Sequence, residues 1–200
     1  SLKTLYTLNC LDRLDEKKRI SWSSYINSFQ KSKFSLPTNS YIDDEIYNFY
    51  TNLNFKNSLK NNTKVALNLT GLTEYKPKKI AFLEAIRADS KQAISTLYQI
   101  GEKNILPYKD FPTNEEEIFT FLNSLNWKQP WSAGGQLAAL SVFIKTQLNE
   151  DVAELSVSYI SKFLTNLTDK DTGLYYQKEI PNESEAINGA MKIITALDWI

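Results

Sequence analysis

The sequence predicts an all-α fold of stacked helical hairpins, on three observations. Apolar residues recur at helical spacing from end to end, glycine and proline are scarce at six each, and a short residue pattern repeats. Two hundred residues, 42% hydrophobic and 23% charged, suffice for one domain with a sizeable core. The expectation is a single helical-repeat domain over residues 1–200, whole or as a fragment of a larger chain.

The elements follow in order. Leu2, Leu5, Leu8 and Leu11 make a first apolar stripe, and Ile20, Tyr25, Ile26 and Phe29 a second, on a helix ending near Gln30. A polar loop is expected over 31–39. Ser40 and Asp43 then resemble a capping pair before Ile46, Phe49, Tyr50 and Leu53, which fall on one helical face. Val65, Leu67, Leu69 and Leu72 suggest a short helix before Pro77, and residues 80–100 one interrupted helix or two abutting ones. Thr113 and Glu116 have capping-box spacing ahead of Ile118, Phe121, Leu122 and Leu125. After a loop at 126–131, Ser132 can cap a helix whose Leu137, Leu140, Ile144 and Leu148 face inward. Val152, Leu155, Tyr159, Ile160, Phe163, Leu164 and Leu167 form the next stripe. A long polar and aromatic loop, 168–182, leads to Asn182 and Glu185, which can cap a last helix through Ala186, Ile187, Ala190, Ile194 and Leu197.

Ser24-Tyr25-Ile26 followed by Phe29 matches Ser158-Tyr159-Ile160 followed by Phe163, with a weaker echo at Ile118 to Phe121. Such units, about 40 to 45 residues long, are in the range of helical-hairpin repeats, which bury their apolar stripes by stacking. Asp171-Thr172-Gly173-Leu174-Tyr175, with Asn188-Gly189-Ala190 in the following helix, resembles units of α/α toroids: six-hairpin glycosidases, polysaccharide lyases, terpene cyclases and protein prenyltransferases. The resemblance is architectural, covers most of the chain loosely and carries over no catalytic residue. It implies a toroid or partial toroid with a ligand at one rim, and hydrolysis or elimination on a carbohydrate if the domain is catalytic. A terpene cyclase-like domain would instead need an apolar cavity with acids pointing into it.

Charge and composition exclude several functions. Lysine plus arginine and aspartate plus glutamate both number 23, so no net field recruits nucleic acid or anionic lipid. The absence of histidine removes imidazole as base, zinc ligand or triad member. Zinc spacings, phosphate loops and nucleophile elbows are missing, so neither metal nor cofactor is expected. The apolar stretch 137–144 is far short of the roughly 20 residues that span a bilayer. A lone Cys10 agrees with a reducing compartment such as the cytoplasm, while a start at Ser1 leaves room for a removed targeting segment.

Two segments could carry a site. Trp127-Lys128-Gln129-Pro130-Trp131-Ser132-Ala133-Gly134-Gly135-Gln136 combines two indoles with a small-residue helix start. Indole faces stack on sugar C–H faces, and helix-start N–H groups bind oxygens; the bland alternative is two tryptophans plugging a hairpin end. Trp127, Trp131, Gln136, Tyr175 and Tyr176 are the ligand-binding candidates. The long loop adds Asp169, Asp171, Glu179, Glu183 and Glu185. Asp171, Glu183 and Glu185 are candidate carboxylates for glycoside hydrolysis, and Tyr175 a candidate lyase base. The competing reading makes Asp169 to Gly173 a turn, with Glu183 and Glu185 complementing a helix start. Asp43, Asp44 and Glu45 fit a solvated helix start better than a metal site. The expected partner is a carbohydrate or similar polar molecule. A non-catalytic scaffold for protein–protein or interdomain contact is the alternative.

Overall fold

Four helices begin on an Asp or Asn side chain that accepts a hydrogen bond from the backbone N–H three residues on: Asp15, Asn114, Asn149 and Asn182. The computed structural model describes residues 2–32, 36–37, 39–51, 63, 66, 77–177 and 182–200. Their order is α1 (Leu2–Thr7), a 3-10 turn (Leu11–Arg13), α2 (Glu16–Asn27), β1 (Gln30–Lys31), β2 (Ser40–Tyr41) and α3 (Asp44–Thr51). Then come α4 (Lys78–Gln99), α5 (Glu115–Ser124), α6 (Pro130–Gln147), α7 (Glu150–Leu167) and α8 (Glu183–Leu197). The chain is mainly helical, as its periodicity predicts.

The core is organised around α6. All eight residues from Leu137 to Ile144 are buried, which requires neighbours on every side of that helix. Helices α4 and α8 flank it, and both run in its direction. Arg87 bonds Gln136 near the start of α6, while Ile94 and Leu97 share a cluster with Ala139, Val142 and Phe143 further along. Trp131 meets Glu185, and one turn later Gly134 lies against Lys192 and Ile193. Helices α5 and α7 pair as a second layer: Lys162 reaches Glu115, and Phe119 packs on Phe163. Ile118, Leu122, Ile160, Phe163, Leu164 and Leu167 from that layer close over Leu137, Leu140 and Ile144.

The contact between α6 and α8 is close because both helices present glycine there. A Cβ on Gly189 would stand 2.8 Å from the Pro130 carbonyl carbon, and one on Gly134 would stand 2.9 Å from Lys192 Cβ. The inward face of α8 is Ala186, Gly189, Ile193 and Ala196, three of which are small. Of the residues that the sequence groups on this helix, Ala186 is buried, while Ile187, Ile194 and Leu197 are exposed, together with Met191.

Several expectations are corrected. A two-residue antiparallel ladder, Gln30 opposite Tyr41 and Lys31 opposite Ser40, flanks the polar loop expected over 31–39 and takes its first residue. Ser40 is a strand residue there, and Asp43 Oδ1 accepts from Glu45 N at the start of α3. Asn9, at φ 50°, separates α1 from the 3-10 turn, so Leu8 and Leu11 do not continue one helix. Helix α4 is unbroken. The capping pair before α5 is Asn114 with Glu117, one residue later than the sequence suggested; Thr113 N–H donates back to Glu117 Oε2. Helix α6 starts at Pro130, placing Ser132 inside its first turn rather than at a cap. At equivalent positions the second copy is the more deeply buried: Ile160 and Phe163 are buried within α7, whereas Ile26 and Phe29 are half-buried and Phe29 lies beyond the end of α2. Val65, Leu67, Leu69 and Leu72, which suggest a short helix, and Leu53 lie outside the described residues.

Candidate functional site

A cleft of about 620 Å³ opens between the first turns of α6 and α8, lined by Lys128, Gln129, Trp131, Ser132, Gly135, Gln136, Asn182, Glu185 and Lys192. Its geometry follows from the caps. Asn182 accepts from Glu185 N and starts α8, which sets Glu185 in the first turn facing α6. Glu185 Oε1 then accepts from Trp131 N at 2.9 Å. Proline at the first position of α6 has no N–H to satisfy, and Gln129 supplies no side-chain cap, so the neighbouring helix provides the acceptor. A carboxylate at this end also complements the helix dipole.

Trp131 is 53% exposed and is the only exposed tryptophan of the four. Gln136 Oε1 accepts from Arg87 Nη1 at 2.7 Å, leaving its amide nitrogen as the donor a ligand could use. Gly135 has no atom within 4 Å of where a Cβ would sit, so the cleft reaches the backbone of α6 there. No protein family, curated protein or solved structure matches this chain.

Trp131, Gln136 and Glu185 are therefore brought together, while Trp127, Tyr175, Tyr176, Asp171 and Glu183 lie elsewhere and Glu179 lies outside the described residues. Trp127 is 1% exposed; its indole Nε1–H donates to Leu122 O at 2.8 Å and its ring packs on Phe163. Tyr176 is buried in a different cleft beside Phe119, Asn123, Phe163 and Asn166. Tyr175 packs against the core formed by α5 to α8, in a bridge that pairs it with Thr168. Asp171 and Glu183 are exposed and line neither cleft.

The 169–173 segment is a tight turn. Asp169 Oδ1 accepts from Thr172 N and Oγ1, Gly173 N donates to Asp169 O, and Gly173 takes φ 70°. The Thr172 hydroxyl and backbone hold the Asp169 carboxyl below its ordinary pKa. Gln177 N donates to Trp127 O, tying this loop to the hairpin end that Trp127 plugs.

A second cleft was not visible in the sequence. It lies between α2, β2, α3 and α4, encloses about 380 Å³, and is lined by Ile26, Phe29, Tyr41, Ile42, Asp43, Ile46, Asp89, Gln92, Ala93 and Thr96. Burial, and then the charge of Asp43, push the Asp89 carboxyl above its ordinary pKa. Asp43 and Asp89 are 46 positions apart, so no local motif could announce them. Among the described residues no group of three or more acidic or sulfur ligands could hold a metal ion.

Proposed function

We propose that this chain is a binding domain for a carbohydrate or similarly hydroxylated polar ligand, taken up between the first turns of α6 and α8. The observation that carries the reading is Trp131. A large indole left half in solvent, beside the Gln136 amide, the Glu185 carboxylate and the Lys128 and Lys192 ammonium groups, offers a stacking surface ringed by hydrogen-bonding groups. Sugars need both parts. Binding without hydrolysis is favoured, because cleavage of a glycosidic bond employs two carboxyl groups and, among the described residues, this cleft is lined by one, Glu185, which already accepts from Trp131 N.

The wider architecture we propose is an open arc of helical hairpins in the manner of an α/α toroid. Its support is the alternation of layers: α4, α6 and α8 lie side by side in one direction, with α5 and α7 paired behind them. A scaffold role is the second reading, favoured by one observation, the exposed row of Ile187, Met191 and Ile194 along α8.

Glycan-array screening followed by calorimetry tests the first reading. The intact protein is expected to bind a glycan and Trp131→Ala to lose it, with the circular dichroism spectrum unchanged. Iodide quenching adds a site-specific readout, because Trp131 should dominate the accessible fluorescence and become protected by ligand. Absence of binding across the array, or full binding by Trp131→Ala, overturns the reading.

A further inference from the structure

We propose that the cleft between α2, β2, α3 and α4 is a separate binding site for an organic ammonium ion carrying an apolar body. Its walls are Ile26, Phe29, Ile42, Ile46 and Ala93, which suit a hydrocarbon or aromatic group. Among the described residues its charged lining consists of two carboxylates, Asp43 and Asp89, with no lysine or arginine. The other polar groups are engaged. Tyr41 donates its hydroxyl to Asn27, Thr96 Oγ1 donates to Gln92 O at 2.7 Å, and Gln92 Nε2 donates to Thr96 Oγ1 at 3.3 Å.

The carboxylates differ. Asp43 Oδ1 is held by Glu45 N at 2.7 Å, whereas Asp89 has no hydrogen-bond or ion-pair partner among the described residues. Two acids facing one apolar space leave negative charge that a single cation relieves, and the desolvation already imposed on Asp89 strengthens that attraction. A divalent metal is the poorer occupant, since a hard cation requires six or more oxygen ligands and the walls are hydrocarbon. An ammonium group on a short apolar stem satisfies both parts of the lining. The site is independent of the cleft at Trp131, so either reading can fail alone.

The test is a methyl NMR titration of the intact protein with phenethylammonium, its neutral analogue phenethyl alcohol, and ammonium chloride. Saturable shifts at Ile26, Ile42, Ile46 and Ala93 are expected with phenethylammonium, at least about tenfold tighter than with either control. Asp89→Asn, which keeps the side-chain volume, should remove that preference, and Asp43→Asn, which keeps a capping oxygen for α3, should weaken it. Trp131→Ala should leave it intact. Equal binding of amine and alcohol, an unchanged preference in Asp89→Asn, shifts centred on other methyls, or no saturation by about 10 mM would each overturn the proposal.

Discussion

Trp127 and Trp131 stand one helical turn apart in number and on opposite sides of the boundary between core and solvent. Truncating the first removes a buried ring and its hydrogen bond to Leu122 O, so Trp127→Ala should cost about 3 to 5 kcal/mol in urea denaturation. Trp131→Ala should change stability by about 0.5 kcal/mol or less. The sequence nominated both indoles without separating them, because their roles depend on where α6 begins. Pro130 sets that start, two residues before the expected cap at Ser132.

Titration at single residues follows the same environments. Asp89 holds its proton more tightly in the folded state than in the unfolded chain, so stability falls as pH rises through the ordinary aspartate range towards its raised value. Asp89→Asn should therefore raise Tm at pH 7 and change it little at pH 3, as read by calorimetry. Asp15, Glu117 and Asp169 have the opposite sign: each is held below its ordinary pKa by backbone and side-chain donors in a cap or turn. Their contribution is present above the unfolded value and is lost as pH falls through the lowered folded value. All three are solvated, so the loss should be shallow.

At the scale of elements, the α6–α8 pair depends on glycine. Gly189→Ala would press a methyl into the Pro130 backbone and ring, neither of which can rotate away, and should destabilise by about 1 to 3 kcal/mol. Gly135→Ala meets no atom within 4 Å and should stabilise α6 by about 0.5 to 1 kcal/mol while narrowing the cleft floor. The same thermal melts can test the inter-helix cap. Glu185→Ala should cost about 0.5 to 2 kcal/mol, and Glu185→Gln, which retains an acceptor for Trp131 N, should cost less. Helix existence was readable from periodicity, and the last cap from Asn182 and Glu185. Which face of α8 turns inward is not decided by residue size alone, since large apolar residues lie on both faces. Close approach to α6 requires glycine at 189, which turns Ala186, Ile193 and Ala196 inward with it and leaves Ile187 and Ile194 outside. The β1–β2 ladder escaped because two residues per strand are too few to show alternation.

At the scale of the whole molecule, the all-α class was legible and the relation between hairpins was not. The Ser-Tyr-Ile pattern repeats in composition, yet its first copy leaves Ile26 and Phe29 half-buried and its second buries Ile160 and Phe163. Long-range matches decide the layering: Arg87 with Gln136, Trp131 with Glu185, Lys162 with Glu115, and the ring of Trp199 5.6 Å from that of Tyr98. The last pair joins the ends of α8 and α4, beside the cluster that also holds Phe143. Enclosure of α6 by both layers has a kinetic consequence. Amide protons from Leu137 to Ile144 can meet solvent only when α4, α5, α7 and α8 separate together. In deuterium oxide they should be the slowest to exchange, at a rate that tracks the unfolding of the entire assembly of helices.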